Sequence, residues 1–577
     1  MVISVASRIA YSGLTAAQVK INVTAANIAN ADTEGYSVKT ATQSSLVAEG
    51  IAVGVSVTGV SSKVDRILLR SLMTAKSDLG AAETTADYAD RLQSLMGSVS
   101  SDDDSGSSIA AAVTALESAA SALATDPSDA TAAAEFVLAA DAMATQLRSL
   151  SASVQSLRGD ADADIAATVS ETNDALHTID ELNVAIVAAR ARGESSADLE
   201  DKRNAALATV AGALAVTFTV ADTGAMTVAT TGGQTLVGAS VHELGFSAVA
   251  AMTADTVTSA ITVDGRTLDP GSGTLEALLT LRDETLPATQ DALDALAGAL
   301  IDTLNAVTAT GTAVPAPDSL TGTAAVAATD ALDGSGTLHV AVLDADGAVV
   351  STSDLDLSAY ATVGDLVDAL NGIDGISASI DADGHLAIAT TAADTGVALG
   401  GDAVVGGDAA SVAAAFGFND LLTGTGAADI AVRATLLDDS GGLALGSLDD
   451  GATTVGSIAL ASGSQTVAQA LAEALGASLN FSAAGRLSAR STDLAGYAAA
   501  IVSDVASVAA RADTALTTAE TVESNLSASL SSATGVNVDE ETARLSQYQN
   551  LYSAAASVME VANEMFSTLL DMVSSAT

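Results

Sequence analysis

Two Asp-Ala-Asp-Gly stretches, Asp344–Gly347 and Asp381–Gly384, hold carboxylates at a spacing that could coordinate Ca²⁺. Such a loop needs acidic groups at its positions 1, 3 and 5 and a Glu at position 12, because the ion takes six to eight oxygen ligands. With either tetrapeptide on positions 3 to 6, position 1 becomes Val342 or Ser379, and position 12 becomes Ser353 or Thr390. The pattern fails, and both stretches read as Asp-Gly hairpin turns. Asp102–Asp104 could hold a cation loosely, but a solvated acidic loop is the better reading. His242-Glu243 opens like a zinc-binding helix motif, yet Phe246 stands where the second His is needed. The four His (His177, His242, His339, His385) are scattered and Cys is absent, so no metal constellation forms. Neither a nucleophile elbow nor a phosphate loop occurs. With 71 acidic residues, any chosen carboxylate pair is uninformative. No catalytic, metal or cofactor site is expected, and the chain is not read as an enzyme.

If chemistry is not the business of these side chains, assembly is the next question, and composition constrains it. The chain has 577 residues, enough for three or four domains on a length prior. It is 49% hydrophobic but only 2% aromatic, with no Trp, so its core must be built from Ala, Val, Leu and Ile. Such side chains bury little area each, so stability has to come from many shallow contacts along long helices and β-layers. Twenty-one basic against 71 acidic residues give a net charge of −50. That excludes a nucleic-acid partner, which needs clustered Lys and Arg, and argues against an anionic membrane surface. No segment offers the ~18 uninterrupted apolar residues of a membrane span. The N-terminus lacks the long apolar block of a cleaved signal, since Arg8 and Lys20 interrupt it.

The two ends carry the clearest periodicity. Leu545, Tyr552, Met559, Phe566 and Val573 recur every seven residues, with Tyr548, Ala555, Ala562 and Leu569 between them. This 3-4 alternation is the seam of a coiled coil. At the N-terminus, Val2, Ile9, Ala16 and Val23 form one series and Val5, Ser12, Val19 and Ala26 its companion. Leu14, Ile21 and Ile28 widen the apolar face. Each terminal helix calls for the other, or a copy in a neighbouring subunit, as its partner.

Between the ends the period changes several times. Ile51–Val60 alternates as a strand, and a helix-like run follows to the polar loop Ser101–Ser108. Ala-rich helix runs from Ile109 to about Leu214, with Pro127 and Gly193 in turns. From Ala215 a meander is expected, with turns at Asp-Thr-Gly and Gly-Gly, continuing to about Pro270. Leu275–Val307 reads as one helix. A β-rich insert then contains both Asp-Gly hairpins around a short helix. Thr466–Arg490 echoes Thr362–Thr390 in its helix-then-hairpin order. The fold expected is multidomain α + β: paired, coiled-coil-like terminal helices, an elongated α-helical bundle, and inserted β-rich outer domains. The expected division is a terminal helical domain from 1–65 and 531–577, and a helical bundle from 66–214, 274–312 and 428–530. The β-rich domains are expected at 215–273 and 313–427.

The stretch after the first helix, ANIANADTEGYS (Ala26–Ser37), is more elaborate than a turn requires. Locally, Asn30 is expected to end the helix in a left-handed conformation, Asp32 and Thr33 to bond nearby backbone, and Gly35 to take dihedrals other residues avoid. The run also resembles the N-terminal signature of the flagellar axial proteins of rod, hook and hook-associated type. The matching residues are Asn27, Ile28, Ala29, Asn30, Thr33, Gly35 and Tyr36; Ala26, Glu34 and Val38-Lys39 depart from the usual pattern. Tyr36-Ser37 resembles the hook-associated branch more than the rod and hook branches. Gly535–Val573 and Leu275–Val307 are also similar to helices of that branch.

The resemblance implies a structural subunit that joins hook to filament, lies outside the cell in the flagellum, and travels unfolded through the flagellar type III apparatus. Its implied partners are copies of itself in a ring or helical layer, the hook protein, a second hook-associated protein and an export chaperone. The residues expected at subunit interfaces are Val5, Ile9, Val19, Val23, Asn27, Ile28, Asn30, Thr33, Gly35 and Tyr36, with Leu545, Tyr548, Tyr552, Met559, Phe566 and Leu569. Two readings stay open beside it: a hook or other axial protein, and an unrelated secreted adhesin.

Overall fold

Small side chains and long helical periods give a long molecule. The computed structural model describes residues 2–33, 35–48, 51–97, 108–407 and 409–575. The Asp102–Asp104 loop lies outside the described residues. The spine is α4 (Ala130–Ala191), 62 residues and so about 90 Å at the usual helical rise. Against it pack α2 (Arg66–Met96), α3 (Ile109–Thr125) and α5 (Ala197–Ala213). The Ala-rich run from 109 thus folds as three helices, broken at Pro127 and Gly193, where Gly193 takes φ 71°.

The expected single helix at 275–307 is interrupted. It consists of α6 (Thr274–Thr280), a π-helical turn (Leu281–Thr285) and α7 (Leu286–Thr308). The cause is a buried cation. Arg282, 1% exposed, reaches Asp162 of α4 at 2.7 Å and the Asp283 carboxylate at 2.7 and 2.8 Å. Its Nη2 donates to the Ser259 carbonyl at 3.0 Å, and Asp162 also accepts from Val249 N at 2.7 Å. Arg158 donates to the carbonyls of Arg282 and Thr253. A stretch without regular elements, 246–260, is thereby tied by hydrogen bonds to this buried charge cluster and to the spine.

The meander after α5 forms as β3 (Val216–Val220), β4 (Met226–Thr230) and β5 (Thr235–Val237), and a second small sheet follows as β6 (Leu244–Gly245), β7 (Thr262–Val263) and β8 (Arg266–Thr267). Its inward residues, Phe218, Val228 and Leu236 among them, lie in the same apolar core as Leu147, Ile165 and Leu293 of the bundle. The β-segment is therefore a cap on the helices that shares their core.

The insert has a core of its own. One sheet places β10 (Thr337–Asp344) between β11 (Val349–Asp356) and β14 (Thr395–Gly401). A second places β13 (His385–Thr390) between β12 (Ile376–Ile380) and β9 (Ser319–Ala325). α8 (Val363–Asn371) and the five-residue α9 (Val412–Phe416) close the core around Val340, Leu366, Ile388 and Phe418. Both Asp-Ala-Asp-Gly stretches are hairpin turns. Asp344 accepts from the N–H groups of Asp346 and Ala348, and Asp381 from those of Asp383 and His385. The insert returns to the bundle where Arg433 donates to the carbonyls of Phe418 and Thr321, just before α10 (Ala434–Asp438).

α11 (Thr466–Leu475) and the hairpin of Leu479–Phe481 and Arg490–Thr492 reproduce the helix-then-hairpin order of α8, β12 and β13. They pack on the bundle: Phe481 stacks on Tyr497 of α12 (Leu494–Thr534), with ring centroids 3.8 Å apart. Alanines let α12 close on α2 through Ala86, Ala89, Ala509 and Ala512. The helical run Leu494–Ser575 holds one 18-residue window apolar enough by composition to cross a membrane, 39% of it buried inside the protein. It ends in α13 (Val538–Ser575), which packs antiparallel against α1 (Val2–Ala29).

Candidate functional site

The register of the terminal pair follows from four contacts. Ser7 Oγ meets Met559 Sδ at 3.4 Å, and Lys20 lies 5.3 Å from the centre of the Tyr548 ring. Asn27 donates to Glu541 at 2.9 Å, and Gly13 has no side chain where the Ala555 methyl approaches. Leu545, Tyr548, Tyr552 and Met559 are half-buried in this seam, as are Val5, Val19, Val23 and Ile28 on α1. Ser12 turns instead to the antiparallel hairpin of β1 (Lys39–Ala48) and β2 (Ile51–Ser62). It accepts from Val55 N at 3.1 Å, and a Cβ on Gly54 would stand 2.6 Å from its hydroxyl.

The pair leaves apolar surface uncovered. Ile9 is 42% exposed, Phe566 56% and Leu569 42%. Leu551, Val558, Val561, Met565 and Met572 are more than half open or nearly so. These last residues were not among the expected interface positions. Their signal is in the sequence: Leu551, Val558, Met565 and Met572 also recur every seven residues, a second row beside the seam. An exposed apolar row of this length marks an interaction surface.

At its other end the pair is latched to the body. Asn27 is fully buried and uses its whole side-chain amide. Nδ2 donates to the Lys39 carbonyl and to Glu541, both at 2.9 Å, while Oδ1 accepts from Lys39 N and the Tyr36 hydroxyl, both at 3.1 Å. The Lys39 ammonium, itself buried, stands 3.5 Å from the centre of the Tyr36 ring and pairs with Asp198 and, at 3.2 Å, Asp201 of α5. Burial alone would lower the Lys39 pKa; the bond to Asp198 and the charge of Asp201 outweigh it and hold the group above the ordinary lysine value. Burial raises the Tyr36 pKa, opposed by Lys39. Ser37 donates to Asp201 at 2.6 Å, and Val38 N donates to the Thr534 carbonyl at the end of α12 at 2.7 Å.

One expectation for the hinge is corrected. Asn30 is not left-handed; among the described residues of this stretch only Gly35 has positive φ, at 76°. Asn30 keeps to the last turn of α1, its N–H and its side-chain amide both donating to the Ala26 carbonyl, at 3.1 and 2.9 Å. Thr33 is exposed, and its N–H donates to the Asn30 carbonyl at 3.0 Å. Asn27 and Tyr36 therefore converge on the latch, whereas Asn30, Thr33 and Gly35 shape the turn. Lys39, Asp198, Asp201 and Glu541 were not legible as a group, because 514 positions separate Asn27 from Glu541.

Nothing comparable gathers around the histidines. Each faces one carboxylate: His177 with Glu243, His242 with Asp264, His339 with Asp354 and His385 with Asp381.

Four family models match along the chain. Residues 8–36 match the flagella basal body rod protein, 89–320 the flagellar hook-associated protein FlgK helical domain, 337–392 the flagellin hook IN motif, and 529–572 the flagellar basal body rod FlgEFG protein C-terminal. Flagellar hook-associated protein 1 of Salmonella typhimurium and of Salmonella typhi are each 25% identical over 578 residues, covering 98% of this chain and 99% of theirs. The chain belongs to the flagellar axial-protein family, in its hook-associated branch. The flagellar hook junction protein FlgK from Burkholderia pseudomallei is a solved structure that aligns at 18% identity and TM-score 0.47, over 80% of this chain and 99% of that one. The rod-type models fall on the two ends that pair as α1 and α13, with Asn27 and Tyr36 of the latch in the first and Glu541 in the second. The hook-associated helical domain falls on the spine and its β-cap. A member of this family is a structural part of the bacterial flagellum, outside the cell.

Proposed function

We propose that this chain is the subunit that joins hook to filament, and that it assembles through the antiparallel pair of α1 and α13. The observation that carries the reading is the second apolar row on α13, Leu551, Val558, Met565 and Met572, open to solvent while Leu545, Tyr552 and Met559 of the first row are half-buried against α1. A helix pair with one seam filled and another open is built for further helices. In an axial structure those come from neighbouring copies, whose heterologous contacts close into a ring or run on as a helix. Ile9, Phe566 and Leu569 belong to this open surface. Hook protein on one side and a second hook-associated protein on the other complete the stack. Passage through the type III apparatus with an export chaperone accords with a chain free of Cys and with a core of small side chains. The role is structural, without a catalytic step.

The test uses exposed positions, so that the subunit still folds. Val558→Glu and Met565→Glu place charges on the open row. The circular dichroism and thermal unfolding of the purified chain should match the wild type. Immunogold labelling of isolated hook-basal bodies should show the wild type as a narrow band at the distal end of the hook and the variants as absent. Label along the whole hook would favour a hook-type axial protein. Undiminished incorporation of both variants would remove α13 from the assembly surface.

A further inference from the structure

A cleft of 340 Å³ opens where the terminal layer meets the body. Its walls are the end of β2, the first turns of α2 and α5, the end of α4, and the β3–β4 hairpin. Five charged side chains line it: Arg66, Arg190, Arg203, Glu194 and Glu200. Both carboxylates are already engaged. Glu200 accepts from Arg190 at 2.8 Å and from Ser196 at 2.6 Å, and Glu194 pairs with Arg192 at 2.7 Å.

Two guanidinium groups make no direct ion pair among the described residues. Arg203 is 3% exposed and meets only neutral acceptors, Asn183 at 3.0 Å and the Gly224 carbonyl at 2.6 Å. Its Nε is buried and has no hydrogen-bond partner among the described residues. Arg66 is exposed at the mouth and makes no ion pair among the described residues. Burial, aided by the charges of Arg190 and Arg66 and opposed by Glu200, pushes the Arg203 pKa down to about 10. A buried cation without an anion is costly, and such sites are ordinarily filled. The chain has only 21 basic residues, so three arginines converging on one cleft of a molecule with net charge −50 are not a by-product of composition.

We propose that the cleft is an oxyanion site, in which a phosphate-like anion or a carboxylate is held between Arg66 and Arg203. The guanidinium fork suits both shapes, and charge-assisted hydrogen bonds are the strong ones. A carboxylate would be supplied by an acidic side chain of a neighbouring copy; a phosphate would come from solution. The bound anion ties α2, at the exit of the β1–β2 hairpin, to α5, the helix that carries Asp198 and Asp201 of the latch. Occupancy therefore stiffens the joint between the terminal pair and the body.

The test is titration of the full-length chain with sodium phosphate and, separately, sodium glutarate, against sodium chloride at matched ionic strength. Calorimetry should find one site per chain, and the thermal midpoint should rise saturably. Arg66→Ala, at an exposed position that leaves the fold intact, should weaken binding about tenfold, the factor of one charged hydrogen bond. Saturation by phosphate alone assigns the free anion, and saturation by glutarate alone or by both assigns the carboxylate. If neither exceeds chloride, or if Arg66→Ala responds as the wild type does, the proposal is overturned.

Discussion

Asn27→Ala should free the terminal helices from the body while leaving the body folded. The substitution removes four hydrogen bonds at a fully buried position and strands the Lys39 N–H and carbonyl, the Tyr36 hydroxyl and one Glu541 oxygen. Each stranded group costs about 1–3 kcal/mol unless water reaches it, so the loss rivals the whole stability of a small contact layer. The effect should be local. α2 and α12 are held together by alanine packing and by the ion pair of Lys76 and Glu523 at 2.9 Å, neither of which touches Asn27. Amide hydrogen exchange should therefore rise in 26–39 and 534–545 and stay unchanged in α4. Asn27→Asp sharpens the expectation, because it keeps the shape but loses both donors and brings a carboxylate against Glu541. Its defect should be large at neutral pH and should shrink on acidification, as the new carboxyl regains a proton to donate. Exchange that is unchanged in Asn27→Ala, or a defect in Asn27→Asp that is indifferent to pH, would show that the latch is held elsewhere.

What could be seen beforehand of this arrangement follows the range of each interaction. Period and turn chemistry are local, and they were legible. The C-terminal heptads as far as Ala562, the breaks at Pro127 and Gly193, the meander with Gly-Gly at its second turn, and the Asp-Gly hairpins all appear at the expected positions, while Phe566, Leu569 and Val573 stand exposed beyond the seam. Even the helix-then-hairpin echo of Thr362–Thr390 in Thr466–Arg490 holds as local geometry. Its two versions differ in the length of the hairpin and in what they pack on, the insert core in one case and Tyr497 in the other. The latch was half legible. Asn27 and Tyr36 lie nine residues apart and belong to one recognisable stretch, but the rest of the latch comes from Lys39 of β1, from Asp198 and Asp201 of α5 and from Glu541 of α13. No period announces a single Lys at the start of a strand, or a Glu in an acidic first turn that also holds Asp539 and Glu540. The left-handed Asn30 failed for a related reason. Its N–H and side-chain amide both stay on the Ala26 carbonyl of the last turn, and Gly35, five residues later, takes the positive φ. The sharing of one core between the β-cap and the bundle was likewise hidden, since alternation in a strand tells which face is buried and not against what.

The broken helix at Leu281 is the most consequential feature that no pattern signalled, and it yields the second large expectation. Arg282→Met should destabilise the helical body by about 3–5 kcal/mol, the usual result of removing one partner of a buried ion pair. Methionine fills much of the volume, so lost packing is a minor part. What remains is Asp162, 1% exposed, with its charge uncompensated and a single backbone donor, Val249 N at 2.7 Å. Loss of the bond to the Ser259 carbonyl also frees the segment 246–260, which should become the first site of proteolytic cleavage. This account differs from a simple cavity in one respect. If the penalty is the stranded carboxylate, Asp162→Asn in the same chain should recover most of it, because the amide oxygen still accepts from Val249 N and the charge is gone. Urea unfolding of the two single variants and the double variant closes the cycle. Strong recovery in the double variant supports charge as the cause. Additive losses would mean that Arg282 holds the π-helical turn through its shape and its bond to Asp283, with Asp162 incidental.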